Sequence, residues 1–162
     1  MTGSVHIHPA RPDDVELIFA LICQLAEYER GPDEVVGNPD LLRRALFGPD
    51  PAAEALIAEI DGTAAGFALF YRTFSTWECR SGLWLEDLYV AESRRRSGVG
   101  TKLLDAVVDL ARQRGYTRVE WSALDWNTPA LQFYAGHGAR RLDEWLVHRL
   151  DGEALETFRA AD

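Results

Sequence analysis

The sequence predicts a mixed-sheet α/β (α+β) domain whose helices lie on both faces of a central sheet. Two apolar runs, at residues 53–60 and 63–74, are separated by Asp61–Gly62, a dipeptide typical of a two-residue hairpin turn, so we expect them to pair antiparallel. A strand, a helix and a strand follow, at residues 82–90, 98–114 and 118–124. Antiparallel hairpins followed by a β-α-β unit are typical of such a sheet. The length of 162 residues fits one domain, and we expect residues 1–162 to form it.

The elements before this central part are a strand and two helices. Val5 and Ile7 alternate with two histidines, as in a short first strand. Pro12, followed by two aspartates, opens a helix well, because proline is tolerated in the first turn and acids favour the positive end of the helix dipole. A second helix is expected at residues 39–47, where Gly48–Pro49 ends it.

The elements after the central part are a helix and a strand. Asn127 is a capping residue for a helix that runs to residue 135, and Gly136 and Gly138 end it. A last strand is expected at residues 141–150. The predicted order of elements is therefore β-α-α-β-β-β-α-β-α-β.

The charge of the chain favours cationic over anionic partners. It has 26 acidic and 17 basic side chains, which give a formal net charge of −9. A field of this sign repels phosphate backbones and raises the local concentration of cations. We therefore expect no nucleic-acid partner, and we expect a polyamine, a lysine-like amine or a basic protein tail as substrate.

No segment has the pattern of a membrane anchor or a secretion signal. The longest strongly apolar run, at residues 17–23, is far shorter than the ~20 residues that span a bilayer, and residues 1–10 lack a basic and then apolar pattern. We expect a cytoplasmic protein with no membrane partner. Cys23 and Cys79 have no CxxC or histidine spacing, which predicts two unpaired thiols and no metal site.

The first segment that indicates chemistry is Arg95-Arg96-Ser97-Gly98-Val99-Gly100, between a predicted strand and a predicted helix. Glycines let a backbone approach a ligand, and a helix start presents unpaired N–H groups, so the segment predicts a pyrophosphate site. Arg94, Arg95 and Arg96 add positive charge in an acidic chain. A solvated turn with a basic cap is the alternative interpretation.

The second segment places two adjacent carboxylates, Glu86 and Asp87, inside an apolar strand. Adjacent residues of a strand point to opposite faces, so at least one acid should face a packed or ligand-binding side, where burial raises a carboxyl pKa toward that of a general base. The alternative is an acid at a strand end that is paired with an arginine.

The third segment, residues 125–134, joins the capping Asn127 to a helix with Phe133 and Tyr134 just before its end. A tyrosine hydroxyl, with a pKa of about 10, donates a proton to a thiolate leaving group of lower pKa. As an alternative, Tyr134 is an ordinary core residue of an amphipathic helix.

In this order the three segments resemble the GNAT superfamily of N-acetyltransferases, in which an R/Q-x-x-G-x-G/A motif binds the acetyl-CoA pyrophosphate and an N-x-x-A-x-x-F-Y helix follows. The second pattern matches residues 127–134. The chain is similar over nearly its whole length to the diamine (spermidine/spermine) and thialysine N-acetyltransferase branch. The segments that resemble this branch are Leu25-Ala26-Glu27-Tyr28-Glu29, Leu85-Glu86-Asp87, Trp126-Asn127 and Glu144-Trp145.

The resemblance implies a GNAT-like acyl-CoA N-acyltransferase fold and a set of residue roles. Glu86 would be the general base, directly or through water, and Tyr134 the general acid. The backbone of Leu88, Tyr89 and Val90 would pair with the pantetheine arm. Further CoA contacts would come from Arg95, Arg96, Ser97, Gly98, Val99, Gly100, Asn127 and Tyr134. The amine would lie among Tyr28, Glu29, Glu86, Asp87, Glu120 and Trp145. Arg96 is a departure, because this branch often has glycine there.

The expected activity is acetyl-CoA-dependent N-acetyltransfer to a primary amine of a small cationic acceptor, such as a diamine, a polyamine or thialysine. An alkyl amine with a pKa of about 10.4 must lose a proton before it attacks a thioester, which requires a base. Direct transfer in a ternary complex is expected, because no Cys-His or Ser-His pair with a supporting signature is present in the sequence. The alternatives are a GNAT enzyme for a protein N-terminus, a lysine or an amino acid, and a non-catalytic CoA-binding module. A homodimer is expected from the family alone.

Overall fold

A five-stranded mixed sheet is the main element of the computed structural model, which describes residues 3–159. The strands lie side by side in chain order, the first four antiparallel and the fifth parallel to the fourth. Their bounds are Val5–Pro9 (β1), Glu54–Ile60 (β2), Thr63–Ser75 (β3), Arg80–Val90 (β4) and Val119–Glu120 (β5). The predicted class, a mixed sheet with flanking helices, is confirmed.

Five α-helices accompany the sheet within the described part of the chain. They are Val15–Tyr28 (α1), Pro39–Phe47 (α2), Val99–Gln113 (α3), Thr128–Gly136 (α4) and Gly152–Glu156 (α5). The chain forms two compact units, whose described parts are residues 3–122, with the sheet and α1–α3, and residues 123–159, with α4 and α5. None of the helices within residues 3–159 is long and apolar enough to cross a membrane.

Local signals account for several of these elements. Asp61 and Gly62 have φ values of 51° and 75°, and two successive positive φ values are what the predicted hairpin turn requires. Asn38 caps α2, because its side-chain oxygen accepts a hydrogen bond of 2.9 Å from the backbone N–H of Leu41. The predicted hairpin and the predicted helix at residues 39–47 are both confirmed.

The two faces of the sheet are buried by different helices. On one face, Ile18 and Leu21 of α1 and Leu46 of α2 pack with sheet residues into one core cluster. The sheet residues of this cluster are Ala55, Ile57, Phe67, Leu69 and Tyr89. Neighbouring strand residues point to the other face, and four of them, Leu56, Ala58, Ala68 and Phe70, are also buried. The helix α3 contacts the sheet and has Val99, Leu103 and Val107 buried.

A β-bulge in β4 changes the faces to which its side chains point. Leu69 of β3 is paired with Asp87, but the next residue, Phe70, is paired with Leu85, so Glu86 is an extra residue without a partner in the ladder. Leu69 and Phe70 are adjacent and point to opposite faces. Leu85 and Asp87 therefore also point to opposite faces, although residues two apart share a face in a regular strand. The bulge turns Asp87 toward the face on which α1 packs.

Two predicted strands differ from the structure. The strand expected at residues 118–124 is confined to Val119–Glu120, because β5 pairs with β4 only at Leu83 and Trp84. The strand expected at residues 141–150 does not form: Leu146 and Val147 are 77% and 81% exposed, and no residue of this segment pairs with a strand in the described chain. An alternating pattern without a partner strand leaves backbone hydrogen bonds unmade, so it is not enough to form a strand. A short helix, α5, follows that segment.

The close approach of β3 to β4 makes Gly66 a critical position for the sheet. A Cβ atom at Gly66 would lie 2.3 Å from the carbonyl oxygen of Tyr89. We expect Gly66→Ala to lower the free energy of unfolding by about 1–3 kcal/mol through this overlap, measured by urea denaturation. The control is Gly37→Ala, since a Cβ there meets no atom within 4 Å. Equal stability of the two variants would contradict the close packing of β3 and β4.

Candidate active site

The bulge brings three carboxylates together at the end of α1. Both Glu86 and Glu29, which directly follows α1, act on Asp87 electrostatically. Burial, followed by the negative charges of Glu86 and Glu29, raises the pKa of Asp87 to about 7. Partial burial also raises the pKa of Glu29. The cluster therefore holds an acid that is about half protonated at neutral pH, in a site where a cation would relieve repulsion between the carboxylates.

Glu86 is held by two neighbours that the sequence analysis did not select. The indole Nε1–H of Trp84 donates a 2.9 Å hydrogen bond to Oε2 of Glu86. Tyr71 of β3, which is paired with Trp84 across the two strands, interacts with the same carboxylate electrostatically. Burial, followed by the negative charge of Glu86, raises the pKa of Tyr71. The carboxylate is thus fixed by two side chains, and the alternative of an acid paired with an arginine does not describe it.

Arg95 links the end of α1 to the end of β4. Its guanidinium carbon lies 4.3 Å from the centre of the Tyr28 ring and 5.9 Å from that of the Tyr89 ring, within the range of cation–π contacts. Its Nε donates a 3.3 Å hydrogen bond to the carbonyl oxygen of Val90. These contacts surround a pocket of about 440 Å³ that is lined by Gln24, Glu27, Tyr28, Tyr89, Glu92 and Arg95.

The outer edge of β4 is available for a further strand-like ligand near its end. Within residues 3–122, β5 pairs with β4 at Leu83 and Trp84 and goes no further. The N–H of Ala91 points to β3, where it donates to Ala65, and backbone groups of successive strand residues point alternately to the two edges. Leu88 and Val90 therefore present their backbone groups at the outer edge, while those of Tyr89 face β3.

The start of α3 has the geometry of an anion site. Gly98 precedes the helix with φ 82°, and a Cβ atom there would meet nothing within 4 Å. Arg96 also has a positive φ, of 62°, and Ser97 donates to the carbonyl oxygen of Arg94, which shapes the turn. Helix starts leave backbone N–H groups unpaired and carry partial positive charge. The predicted phosphate segment thus has an open helix start with arginines beside it.

The second unit contains three of the predicted residues. Asn127 is 7% exposed, and its side-chain oxygen accepts a 3.3 Å hydrogen bond from the N–H of Ala130, which confirms that it caps α4. Tyr134 is half-buried in α4, with its ring edge-on to Phe133 at 5.3 Å. Trp145 is 64% exposed.

Glu120, another predicted amine ligand, forms an ion pair with a basic side chain. Its Oε2 lies 2.9 Å from Nε of Arg118, which directly precedes β5. The ion pair offsets its charge, so Glu120 adds less to the negative field than Glu29, Glu86 and Asp87 do.

The structure brings together six of the predicted site residues within residues 3–122: Tyr28, Glu29, Glu86, Asp87, Tyr89 and Arg95. Sequence reasoning missed Tyr71, Trp84 and Gln24. Trp84 could have been found, because it is two residues from Glu86 and side chains at this spacing share a strand face. Tyr71 and Gln24 reach the site only through the pairing of β3 with β4 and the packing of α1, for which no local signal exists.

Comparison with known proteins identifies the class of enzyme. The model of the Acetyltransferase (GNAT) family matches residues 21–139, so the chain belongs to this family and is an N-acetyltransferase. A thialysine N-epsilon-acetyltransferase from Sus scrofa is 36% identical over 164 residues, covering 94% of this chain and 96% of the relative. An L-ornithine N5-acetyltransferase from Arabidopsis thaliana is 38% identical over 126 residues, covering 78% of this chain and 51% of that protein.

The solved structures that resemble this chain support the fold. An integron cassette protein from the mobile metagenome of V. cholerae has a TM-score of 0.78 at 24% identity, covering 96% of each chain. A ribosomal-protein-alanine N-acetyltransferase from Brucella melitensis biovar Abortus 2308 has a TM-score of 0.70 at 25% identity, covering 90% of this chain and 99% of that chain.

Among residues 3–159, no group of three or more His, Cys, Asp or Glu side chains is placed to hold a metal ion.

The raised pKa of Asp87 predicts a pH-dependent cost in stability. Because the folded-state pKa of about 7 lies above the ordinary value of 3.8, the folded protein binds the proton more tightly, and stability falls as pH rises from about 4 to 7. We expect the stability advantage of Asp87→Asn over the wild type to grow as pH rises through this interval. By pH 8 the gap should be about 2–4 kcal/mol. Urea denaturation at several pH values measures the gap. Asp105→Asn, an exposed acid of α3, is the control, and a gap that does not change with pH would contradict the burial of Asp87.

Proposed function

We propose that this N-acetyltransferase transfers the acetyl group of acetyl-CoA to a primary amine of a small acceptor that carries a second positive charge. The observation that carries the proposal is the convergence of Glu29, Glu86 and Asp87 at the end of α1, in a protein of net charge −9. Diamines, polyamines and lysine analogues such as thialysine have the required pair of ammonium groups. The thialysine and ornithine N-acetyltransferases among the relatives support this class.

Two features of the first unit fit acetyl-CoA. The backbone groups of Leu88 and the N–H of Val90 at the outer edge of β4 suit the amides of a pantetheine arm, which would pair there like an added strand. The start of α3, with Gly98 and neighbouring arginines, suits the pyrophosphate, because backbone N–H groups and fixed positive charge both favour an anion. In this proposal Arg95, Arg96, Ser97, Val99 and Gly100 complete the phosphate segment.

The proposed reaction needs one base and one acid from the chain. The acceptor amine loses a proton to Glu86, directly or through water, and attacks the thioester carbonyl. The bond from the carbonyl carbon to sulfur breaks, and the leaving thiolate takes a proton from Tyr134. The nitrogen gives up its second proton as the amide forms, which restores the Tyr134 hydroxyl directly or through water. The products are the amide and free CoA, and no acyl-enzyme forms. In the second unit Asn127 and Trp145 retain their proposed roles in binding CoA and amine.

A second candidate function keeps the reaction and changes the acceptor to a protein N-terminus, a lysine or an amino acid. The structural neighbour that is a ribosomal-protein-alanine N-acetyltransferase favours testing it. The charge cluster argues for the small acceptor, because a protein N-terminus brings a single ammonium group to three carboxylates. A non-catalytic CoA-binding module would not need an acid cluster, so the convergence of Glu86 and Asp87 argues against it.

We propose further that the enzyme acts as a cytoplasmic homodimer without a nucleic-acid or membrane partner. In the second unit, Leu146, Val147 and Leu150 are 77%, 81% and 54% exposed, and apolar side chains in this density favour an interface. Sedimentation of the purified protein tests the dimer.

A distal positive charge on the acceptor should dominate the choice of substrate. We expect kcat/KM to be about 5–150-fold higher for 1,4-diaminobutane than for butylamine, since one or two partly buried carboxylates hold the second ammonium. Release of free CoA thiol with each amine at low salt measures the ratio. Equal values for the two amines would contradict the proposal, and activity confined to neutral amino-acid or peptide amines would support the second candidate.

The variant Glu29→Gln tests which carboxylate selects the charge. It should reduce the preference for 1,4-diaminobutane and leave transfer to butylamine in place, because Glu86 is untouched. Asp105→Asn removes the same charge from an exposed position of α3 and should keep the full preference. A similar loss in both variants would assign the preference to the net charge of the protein.

The variant Tyr134→Phe tests the general acid. It removes one hydroxyl and keeps the ring that packs edge-on to Phe133. We expect kcat to fall about 10²–10⁴-fold with little change in either KM, because the proton is needed only as the thiolate leaves. Turnover of the Phe variant at the wild-type rate would return Tyr134 to a packing role.

A further inference from the structure

The carboxylate of Glu86 lies on the one residue of β4 that has no partner in the β3–β4 ladder. Its side chain is exposed, and a glutamate in that situation ordinarily samples several rotamers. A base must stay within hydrogen-bond reach of the proton that it removes, so free rotation of Glu86 would lower the rate. If Glu86 is the base, its side chain therefore has to be restrained by other residues.

Two neighbouring side chains supply that restraint. Nε1–H of Trp84 donates to Oε2 of Glu86 at 2.9 Å, and Tyr71, the cross-strand partner of Trp84, interacts with the same carboxylate electrostatically. Trp84 and Tyr71 are themselves paired across β4 and β3, so their backbones are fixed by the sheet on the regular side of the bulge. The side chain of Glu86, which has no partner in the ladder, is thus restrained by the Trp84–Tyr71 pair of the same ladder.

We propose that Trp84 and Tyr71 are positioning residues that hold the Glu86 carboxylate in the orientation needed to accept the proton of the amine. This inference rests on the proposed function. It adds that the donors act through Glu86 and make no contact of their own with either substrate. Their loss should lower kcat and leave both substrate affinities unchanged.

The variants Trp84→Phe and Tyr71→Phe remove the donor groups and keep aromatic rings. We expect each to lower kcat about three- to tenfold, because a hydrogen bond to a charged group at a partly exposed position contributes modestly. KM for the diamine and Kd for acetyl-CoA should stay at wild-type values. Trp77→Phe and Tyr116→Phe are matched controls outside this cluster, since Trp77 is 88% exposed in the β3–β4 turn and Tyr116 interacts with Arg114.

A double-mutant cycle separates positioning from a structural role. In a Glu86→Gln background, Trp84→Phe should cause no additional loss of kcat, because there is no base left to position. The same factor of loss in both backgrounds would show a structural role and overturn the inference. Wild-type kcat in both Phe variants, with Glu86→Gln impaired, would also overturn it and leave the proposed base in place.

A readout without catalysis tests the contact itself. Burial, followed by the charge of Glu86, raises the pKa of Tyr71; Asp87 and Glu29 are the other acids of the cluster. Glu86→Gln should therefore lower the pKa of Tyr71. The titration of Tyr71 is measured by tyrosinate absorbance, as the difference between proteins with and without Tyr71→Phe, in the wild-type and in the Glu86→Gln background. An unchanged titration would overturn the contact. Failure of the wild type to acetylate any amine, with the shift present, would instead overturn the proposed function.

Discussion

The β-bulge at Glu86 is the constraint on which the candidate site depends. A regular β4 would place Leu85 and Asp87 on the same face, so either a leucine would leave the core or an aspartate would enter the α3 side. One extra residue removes this conflict, since Leu85 stays in the core and Asp87 turns toward the end of α1. The same residue supplies the neighbouring carboxylate. A bulge beside a reactive site is a common way to re-aim a side chain, and here it re-aims an adjacent pair.

Three acids in one cluster are compatible with a stable protein because each is accommodated differently. Glu86 is exposed to solvent, and its carboxylate accepts a hydrogen bond from Trp84. Asp87, the most buried of the three, has a pKa raised to about 7 and so carries a proton part of the time. Glu29 remains exposed to solvent. The negative charge that remains on the cluster can attract a cationic ligand. Such an arrangement costs stability and is typical of binding sites.

Local signals in the sequence were sufficient for the hairpin turn and the helix caps and insufficient for the pairing of the strands. The Asp61–Gly62 turn and the caps of α2 and α4 were predictable because their hydrogen bonds involve residues within four positions. The bulge was not, since it is defined by which residues of β3 lie opposite β4. The notion that Glu86 and Asp87 face opposite ways follows from regular alternation, and the bulge invalidates it. The expected strand at residues 141–150 failed for a related reason, because strand formation depends on a partner.

Glu86 also lies outside the pattern that holds the sheet together. Its neighbours Leu85 and Asp87 are paired with adjacent residues of β3, so the ladder passes directly from one to the other and Glu86 takes no part in it. Its side chain fills no part of the hydrophobic core. The architecture thus separates what folds the domain from what the proposed chemistry uses. A substitution at position 86 therefore leaves both the β3–β4 pairing and the hydrophobic core in place, so its effect on the proposed chemistry can be measured in a protein that still folds.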